Sequence, residues 1–257
     1  MSPVSDSAVG RDLPTPASAL AIGAHPDDTD FRCSATLAKW AEAGCVVHHL
    51  VCTDGSKGTW DPDADLAELV AVRQVEQRAA AKALGATGEV VFLGWPDGEL
   101  ASELRQRWQV AYWIRRLRPD VVMGHDPWKR YRLHPDHRHA GFLTVDGLVA
   151  ARDPHFFPEQ EIPHHRPEAL LLYEADEADH VEVVDEQHAS RKLEALEAHR
   201  SQFRSTMFVD EGEGEGDPAS TGQLDEFRDR IRTRLVEHGA LVGAPLGEAF
   251  KRLATDR

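Results

Sequence analysis

Residues 19–28, with the sequence ALAIGAHPDD, decide the fold and contain the first chemically distinctive side chains. Residues 19–24 are apolar or glycine and end at a polar cluster, as expected of a strand buried on both faces. Such strands occur in parallel sheets that helices cover on each side. We therefore predict that this stretch begins an α/β sheet and that residues 25–28 lie at the strand's carboxyl end.

The following sequence alternates helical and strand patterns. It predicts helices at 31–44, 66–84 and 100–117, and strands at 46–53, 89–93 and 121–124. This alternation is typical of a mostly parallel, Rossmann-like sheet with helices on both faces. The fold class we predict is α/β.

The second half is less regular. It predicts helices at 137–151, 187–200 and 224–238, and strands at 169–174 and 181–184. Residues 210–221 include the run EGEGEG and are predicted to be a mobile acidic loop. Residues 1–18, which are polar and rich in Pro and Ser, are predicted to be a flexible tail before a single domain at 19–257.

The composition excludes some functions. Lys plus Arg is 29 and Asp plus Glu is 44, for a net charge of −15, which disfavours nucleic acid and anionic membranes as partners. The three cysteines include no CxxC pair, and no apolar run has the length of a signal peptide or membrane span. We expect a soluble cytoplasmic protein; assembly with copies of itself is left open.

Polar clusters follow the first four predicted strands, where open α/β sheets bind ligands. They occupy residues 25–28, 53–55, 95–98 and 125–137.

Two of these clusters contain a His-Pro-Asp turn. His25 and Asp28 are three residues apart, as are His134 and His137, so each pair faces one way in a first helical turn. Catalytic zinc takes three protein ligands and leaves a fourth position open, so two residues from the first turn and one from the second would suffice. Either turn alone is better explained as a helix N-terminus, but two at strand ends favour a metal.

In this order, the motifs AHPDD at 24–28, TDG at 53–55, Arg73-x-x-Glu76, WPDG at 95–98 and HPDH at 134–137 resemble the PIG-L/LmbE-like de-N-acetylases. That family includes N-acetylglucosaminyl-phosphatidylinositol de-N-acetylases and the mycothiol-pathway deacetylase and amidase. The resemblance covers about residues 19–200 and includes AHRSQ at 198–202, which resembles a His-x-Ser-Gln segment. Thr29 departs from the pattern, because the family usually has Glu there.

The resemblance implies a metal site and a base. It assigns His25, Asp28 and His137 as metal ligands, with zinc as the expected ion and iron(II) as an alternative. It assigns Asp27 as the general base.

The resemblance also implies supporting roles. His134 would stabilise the developing oxyanion and be oriented by Asp136, while Arg73 would lie near the base and Asp97 would accept a sugar hydroxyl. Arg73 and Asp97 are equally compatible with a structural ion pair or a turn cap. His199 would contact substrate, although a histidine at a helix end more often interacts with the last carbonyls.

The loop at 126–132 combines aromatic and basic residues near the second His-Pro-Asp turn. We expect Trp128 and Arg130 to hold the part of the substrate that does not react. The alternative is that the basic residues neutralise acidic neighbours such as Asp126 or contact another subunit.

These observations predict a metal-dependent de-N-acetylase for an N-acetylglucosamine-type amino sugar or conjugate. An amidase for a larger acyl group is the nearest alternative. A dehydrogenase would need a glycine-rich turn after the first strand, where HPDD stands. A non-catalytic metal-binding protein is a further alternative, but metal binding alone would not need the additional carboxylate of Asp27.

Overall fold

The computed structural model of the protein describes residues 9–210 and 218–255. Its strands are β1 Gly10–Arg11, β2 Ser18–Gly23, β3 Val46–Thr53, β4 Val90–Trp95, β5 Val121–His125, β6 Ala169–Tyr173, β7 His180–Val183 and β8 Gly247–Ala254. Its α-helices are α1 Asp28–Arg32, α2 Ser34–Glu42, α3 Leu66–Ala83, α4 Leu104–Leu117, α5 Pro135–Arg152, α6 Glu186–Glu197 and α7 Pro218–Ala240. Shorter helical turns are Pro158–Gln160, Arg200–Gln202 and the π-helix Phe203–Met207.

The strands form one sheet in the order β1-β7-β8-β6-β5-β2-β3-β4. The first seven in chain order pair in parallel, and β8 is antiparallel to both β6 and β7. The predicted α/β class is confirmed. The sequence analysis missed β8, whose sequence GEAFKRLA is interrupted by charged residues and has no long apolar run.

Alternate residues of β2 enter different cores, which explains why its sequence is apolar throughout. Leu20 and Ile22 pack in the core that includes residues of α4 and α5, whereas Ala19 and Ala21 pack in the core that includes residues of α2 and α3. All four side chains are fully buried. Helices therefore cover both faces of the sheet.

The order in which the chain adds strands to the sheet reverses at β2. Strands β3 and β4 extend to one side of β2, and the chain then returns to place β5 on the other side. This arrangement creates a crevice beyond the carboxyl ends of β2 and β5, the place where open α/β sheets bind ligands.

Three predicted segments differ from the structure. The helix predicted at 31–44 is two helices, α1 and α2, separated at Cys33, whose φ of −140° interrupts the helical geometry. Part of the predicted tail is ordered, because β1 pairs in parallel with β7. The helix α7 begins at Pro218, inside the predicted acidic loop, while residues 1–8 and 211–217 lie outside the described residues.

In the part of the chain that is described, no helix combines the length and the apolar character needed to cross a membrane.

Candidate active site

The crevice brings together the two His-Pro-Asp turns. His25 and Asp28 follow β2, and Asp28 begins α1; Pro135 begins α5, with His134 as its N-cap and His137 in its first turn. Proline is favoured at the first position of a helix, because its fixed φ suits the helix and its missing N–H is not needed there. The helix start thus fixes the positions of both imidazoles of the second turn.

His25, Asp28 and His137 form a compact set of donor atoms. Nδ1 of His25 lies 3.4 Å from Oδ2 of Asp28, and Nε2 of His137 lies 3.2 Å from Oδ1 of Asp28. A tetrahedral zinc ion with bonds of about 2.0–2.1 Å separates its ligand atoms by about 3.4 Å. Two imidazoles and a carboxylate with this spacing fit a divalent zinc or iron ion.

The tautomer of His25 follows from its acidic neighbours. Nε2 lies 3.2 Å from Oδ2 of Asp136 and 3.1 Å from Oδ1 of Asp97, so this nitrogen bears the proton. Although burial opposes ionisation, the hydrogen bonds with Asp136, Asp28 and Asp97 raise the pKa of His25 well above its usual value. Nδ1 faces Asp28 and is the nitrogen that a metal would bind in place of its proton.

The carboxylate of Asp136 has a different contact from the one expected. It faces His25 and accepts hydrogen bonds from the backbone N–H groups of Gly98 at 2.6 Å and Leu100 at 3.2 Å. His134 is held by the backbone of Asp136 instead, whose N–H donates to Nδ1 of His134 at 3.2 Å. The expectation that the Asp136 side chain orients His134 is therefore wrong. This carboxylate is fully buried and contacts His25, Gly98 and Leu100 instead.

The same backbone bond sets the chemistry of His134. Because Nδ1 accepts a hydrogen bond, the proton of the neutral ring is on Nε2. Burial and the neighbouring His25 and His137 lower the pKa of His134, which favours the neutral ring. Its ring centroid is 4.7 Å from those of His25 and His137, so an N–H donor stands beside the candidate metal ligands.

Asp27 lies next to the candidate metal ligands, but other contacts hold its backbone and carboxylate. Its backbone has a φ of 101°, which is rare for a residue with a side chain and indicates strain at a functional position. The backbone N–H donates to Oε1 of Gln77 at 2.8 Å, and Oδ2 lies 3.2 Å from Nη2 of Arg73. Burial, together with the negative charge of Asp28, raises the pKa of Asp27 despite Arg73.

Arg73 is a positioning group for this carboxylate. Its Nη1 donates to the carbonyl of Gly55 at 2.7 Å, and its Nη2 donates to the carbonyl of Pro26 at 2.6 Å as well as to Asp27. These bonds connect the turn after β2 with the loop after β3. Since they occupy both terminal nitrogens, Arg73 is better suited to holding Asp27 than to binding a substrate.

Two other groups of residues could offer three ligand atoms. His25, Asp97 and His134 form one, but it would use the nitrogen of His25 that faces Asp136. The other comprises His125, His137 and Glu174. These observations favour the set of His25, Asp28 and His137, because it leaves Nε2 of His25 to Asp136 and Asp97.

The group around His125 already contains a cation. Nη1 of Arg132 is 3.1 Å from Nδ1 of His125 and 2.8 Å from Oε2 of Glu174. With Nδ1 accepting from Arg132, the proton of His125 is on Nε2, which lies 3.2 Å from Oδ2 of Asp28. The ring of His125 therefore faces the Asp28 carboxylate at ion-pair distance.

The sequence of this chain matches a known family. The family model described as PIG-L, GlcNAc-PI de-N-acetylase, matches residues 20–148, which include both His-Pro-Asp turns. The chain belongs to the PIG-L family. The predicted family resemblance is confirmed.

Individual relatives agree with this assignment. Diacetylchitobiose deacetylase from Thermococcus kodakarensis is 35% identical over 188 residues, which cover 72% of this chain and 69% of the relative. A 1D-myo-inositol 2-acetamido-2-deoxy-alpha-D-glucopyranoside deacetylase from Streptomyces avermitilis is 34% identical over 56% of this chain and 57% of its own. The solved structure of N,N'-diacetylchitobiose deacetylase from Pyrococcus horikoshii with its inhibitor MPG superimposes with a TM-score of 0.80 and 27% identity, covering 93% and 85% of the two chains.

In this PIG-L protein a cavity of about 500 Å³ opens over the donor set. Its volume is typical of a small-molecule site. The cavity-lining residues that the sequence analysis identified are His25, Asp27, Asp28, Arg73, Asp97, His134 and His137.

Three predicted substrate contacts are not among the residues that line this cavity. His199 is fully buried, and its Nε2 lies 2.9 Å from Oδ2 of Asp30. Trp128 is 59% exposed and packs against Phe142, and the backbone of exposed Arg130 donates to Asp176. The loop turns these two side chains away from the cavity.

Two other basic residues of that loop instead pair with an acidic residue, as in the alternative stated above, but their partner is Glu174 and not Asp126. Arg132 turns inward to Glu174, and Nζ of Lys129 lies 3.8 Å from the same carboxylate. The sequence analysis did not assign His125, Arg132 or Glu174 a role. The position of His125 and Glu174 at and just after the ends of adjacent strands was the available signal.

Thr29, which replaces the usual family Glu, is buried, and its hydroxyl lies 3.2 Å from Nδ1 of His49. The site contacts described above do not involve it.

Proposed function

We propose that this protein is a metal-dependent hydrolase that removes the N-acetyl group from an N-acetylglucosamine-type amino sugar or conjugate. The supporting observation is that one cavity contains the donor set, a buried carboxylate that is not needed as a ligand, and a neutral imidazole N–H donor. Amide hydrolysis needs a deprotonated water, a stabilised oxyanion and a proton for the leaving amine.

The residues divide these tasks. His25, Asp28 and His137 would hold the ion, which we take to be zinc, with iron(II) as the alternative. When bound, the ion would lower the pKa of a water and polarise the acetyl carbonyl. Asp27, whose pKa is raised, would accept a proton from water and return it to the amine nitrogen.

His134 would stabilise the charge that develops on the carbonyl oxygen. Its Nε2–H is available because Nδ1 is bonded to the backbone of Asp136. A single preorganised donor of this type typically contributes about 10²–10³-fold to the rate. Asp97, which lines the cavity beside His25, is the proposed acceptor for a sugar hydroxyl.

We place the protein in the reducing cytoplasm as part of this proposal, because Cys33, Cys45 and Cys52 are buried free thiols. Fractionation of cells that express it tests this location, and recovery outside the cytoplasm would contradict it.

The experiment that tests the activity measures primary amine released from N-acetylglucosamine derivatives, with and without a chelator. Release of amine and acetate in equal amounts, lost with chelator and restored by zinc or iron(II), is expected. No release from any N-acetyl sugar by metal-loaded protein would contradict the proposal. Faster release from derivatives with larger acyl groups would favour the amidase alternative.

A further inference from the structure

The two ends of the cavity differ in charge. Its acidic lining residues are Asp27, Asp28 and Asp97, all at the proposed metal end. Arg73 and Lys57 also line that end, beside Asp27 and Asp97. The other end is lined by three arginines and by apolar side chains from α1, α7 and the segment before α7, with no acidic lining residue. These residues are Arg32, Arg230, Arg234, Phe31, Phe208, Phe227 and Ile231. A basic end is notable in a chain whose net charge is −15.

Arg32 connects this basic end to the metal ligands. It lies four residues after Asp28 on α1, a rise of about 6 Å along the helix. Its Nη2 is 3.0 Å from Oε1 of Glu174, but Glu174 also pairs with Arg132 and Lys129. One carboxylate therefore faces three cations. Nε of Arg32 is buried and has no hydrogen-bond partner in the described part of the chain.

Arg234 adds a second guanidinium group from α7. Within residues 9–210 and 218–255, it has no hydrogen bond or ion pair, although it lines the cavity with Arg32. Burial and the like charge of Arg32 lower the pKa of Arg234, although the charges of Glu174 and Glu237 oppose this shift. Two guanidinium groups at one cavity end repel each other, and an anion bound between them removes this repulsion.

Arg230 is different, because it is already engaged. Its Nη2 donates to the carbonyl of Met207 at 2.9 Å, and its guanidinium carbon is 5.7 Å from the centre of the Phe227 ring. It fixes the end of the π-helix against α7. The unused binding capacity at this end thus belongs to Arg32 and Arg234.

The wall beside these arginines is apolar. Phe31 and Phe227 meet edge to face with their centroids 6.1 Å apart, and Ile231 is buried on the next turn of α7. Such a wall suits carbon atoms that connect a sugar to a charged group. None of α7 is within the residues that match the family model.

We infer that Arg32 and Arg234 form a subsite for a carboxylate or phosphate on the substrate, so that the preferred substrate is an N-acetyl amino sugar with an anionic aglycone. This inference rests on the proposed function, because the acetamido group must lie at the metal end. The planar guanidinium groups bind either anion in a bidentate manner. The nonreacting part of the substrate would lie against Phe31 and Phe227.

The test compares three glycosides of N-acetylglucosamine that differ only in the aglycone: methyl, carboxymethyl and 2-phosphoethyl. The variant is Arg234→Gln, which removes the charge from a side chain without a partner in the described structure. The matched control is Arg232→Gln on the same helix, because Arg232 bonds to Glu186 on α6 and does not line the cavity.

We expect wild-type kcat/KM to be about tenfold or more higher for an anionic glycoside than for the methyl glycoside. Arg234→Gln should lower kcat/KM for the anionic glycoside by about 10- to 100-fold and leave that for the methyl glycoside within about twofold. Arg232→Gln should change neither. The relative rates of the carboxymethyl and phosphoethyl glycosides identify which anion the subsite prefers. Equal losses on all three substrates, or no wild-type preference for either anion, would overturn the subsite.

A binding measurement separates this inference from the proposed function. The affinity of metal-loaded protein for phenyl phosphate, measured by calorimetry, should fall about tenfold in Arg234→Gln and stay unchanged in Arg232→Gln. Unchanged affinity in Arg234→Gln would overturn the subsite even where deacetylation occurs. Weakened binding in a protein that releases no amine would support the subsite and contradict the proposed function.

Discussion

Replacement of Asp136 tests whether this carboxylate controls His25. Oδ2 faces both Nε2 of His25 and the N–H of Gly98, whereas Oδ1 accepts only from Leu100. Asn at position 136 can keep its oxygen at the Oδ2 position and turn its amide toward Leu100. One buried N–H then loses its acceptor, which costs about 1–3 kcal/mol in the free energy of unfolding. The proton of His25 stays on Nε2.

Asp136→Ala removes all three contacts. The buried N–H of Leu100 and the partly buried N–H of Gly98 lose their acceptors, so we expect a loss of at least about 1–3 kcal/mol in the free energy of unfolding. The imidazole of His25 also loses one of the two carboxylates, Asp136 and Asp97, that hold Nε2 and so direct Nδ1 toward the metal position. Removal of such a partner typically weakens metal binding by about 10- to 100-fold.

Two assays separate these effects. Urea unfolding of the chelator-treated proteins gives the stability change without a contribution from bound metal. Competition with a chromophoric chelator gives the zinc affinity, which should be within a few-fold of wild type in Asp136→Asn and much lower in Asp136→Ala. Equal loss of affinity in both variants, or none in Asp136→Ala, would refute the assignment of the His25 tautomer.

Two further predictions concern the metal ligands and the loop before α5. The double variant His25→Ala/His137→Ala should lose zinc and iron, because a single carboxylate remains in the donor set; full metal content in the purified variant would exclude this site. Trp128→Ala/Arg130→Ala should leave kcat/KM for carboxymethyl N-acetylglucosaminide within about threefold of wild type, since neither side chain lines the cavity; a larger loss, without a change in stability, would restore this loop as a recognition element.

The sequence predicts those parts of the site that are local. His25, Asp28 and Asp27 could be identified because they directly follow a strand recognisable from its unbroken apolar run. His134 and His137 could be identified because proline at a helix start determines the local geometry. The motif spacing thus predicted which residues meet at the crevice.

The direction of a side chain in a loop could not be predicted from local sequence. Trp128, Arg130 and Arg132 are two residues apart in sequence, yet only Arg132 turns inward, after Tyr131 with its φ of 59°. Which residue faces the interior depends on Glu174, 42 residues away, which accepts its hydrogen bond. Local pattern carries no information about this partner.

The basic end of the cavity is equally inaccessible to sequence reasoning. Arg234 belongs to a helix that was predicted but had no assigned partner, and its proximity to Arg32 results from how α7 packs against the sheet and α6. His199 shows the converse case. A family motif placed it near the pocket, but a fully buried Asp30 holds it beneath the site.

The comparison of Asp27→Asn with Asp28→Asn tests the central claim most directly, because the two residues are adjacent and the substitutions are identical. In metal-loaded protein, we expect Asp27→Asn to retain full metal content and lose about 10²–10⁴-fold in the rate of amine release. Asp28→Asn should lose metal. Near-normal turnover in Asp27→Asn, or metal loss from Asp27→Asn but not from Asp28→Asn, would contradict the division between base and ligand.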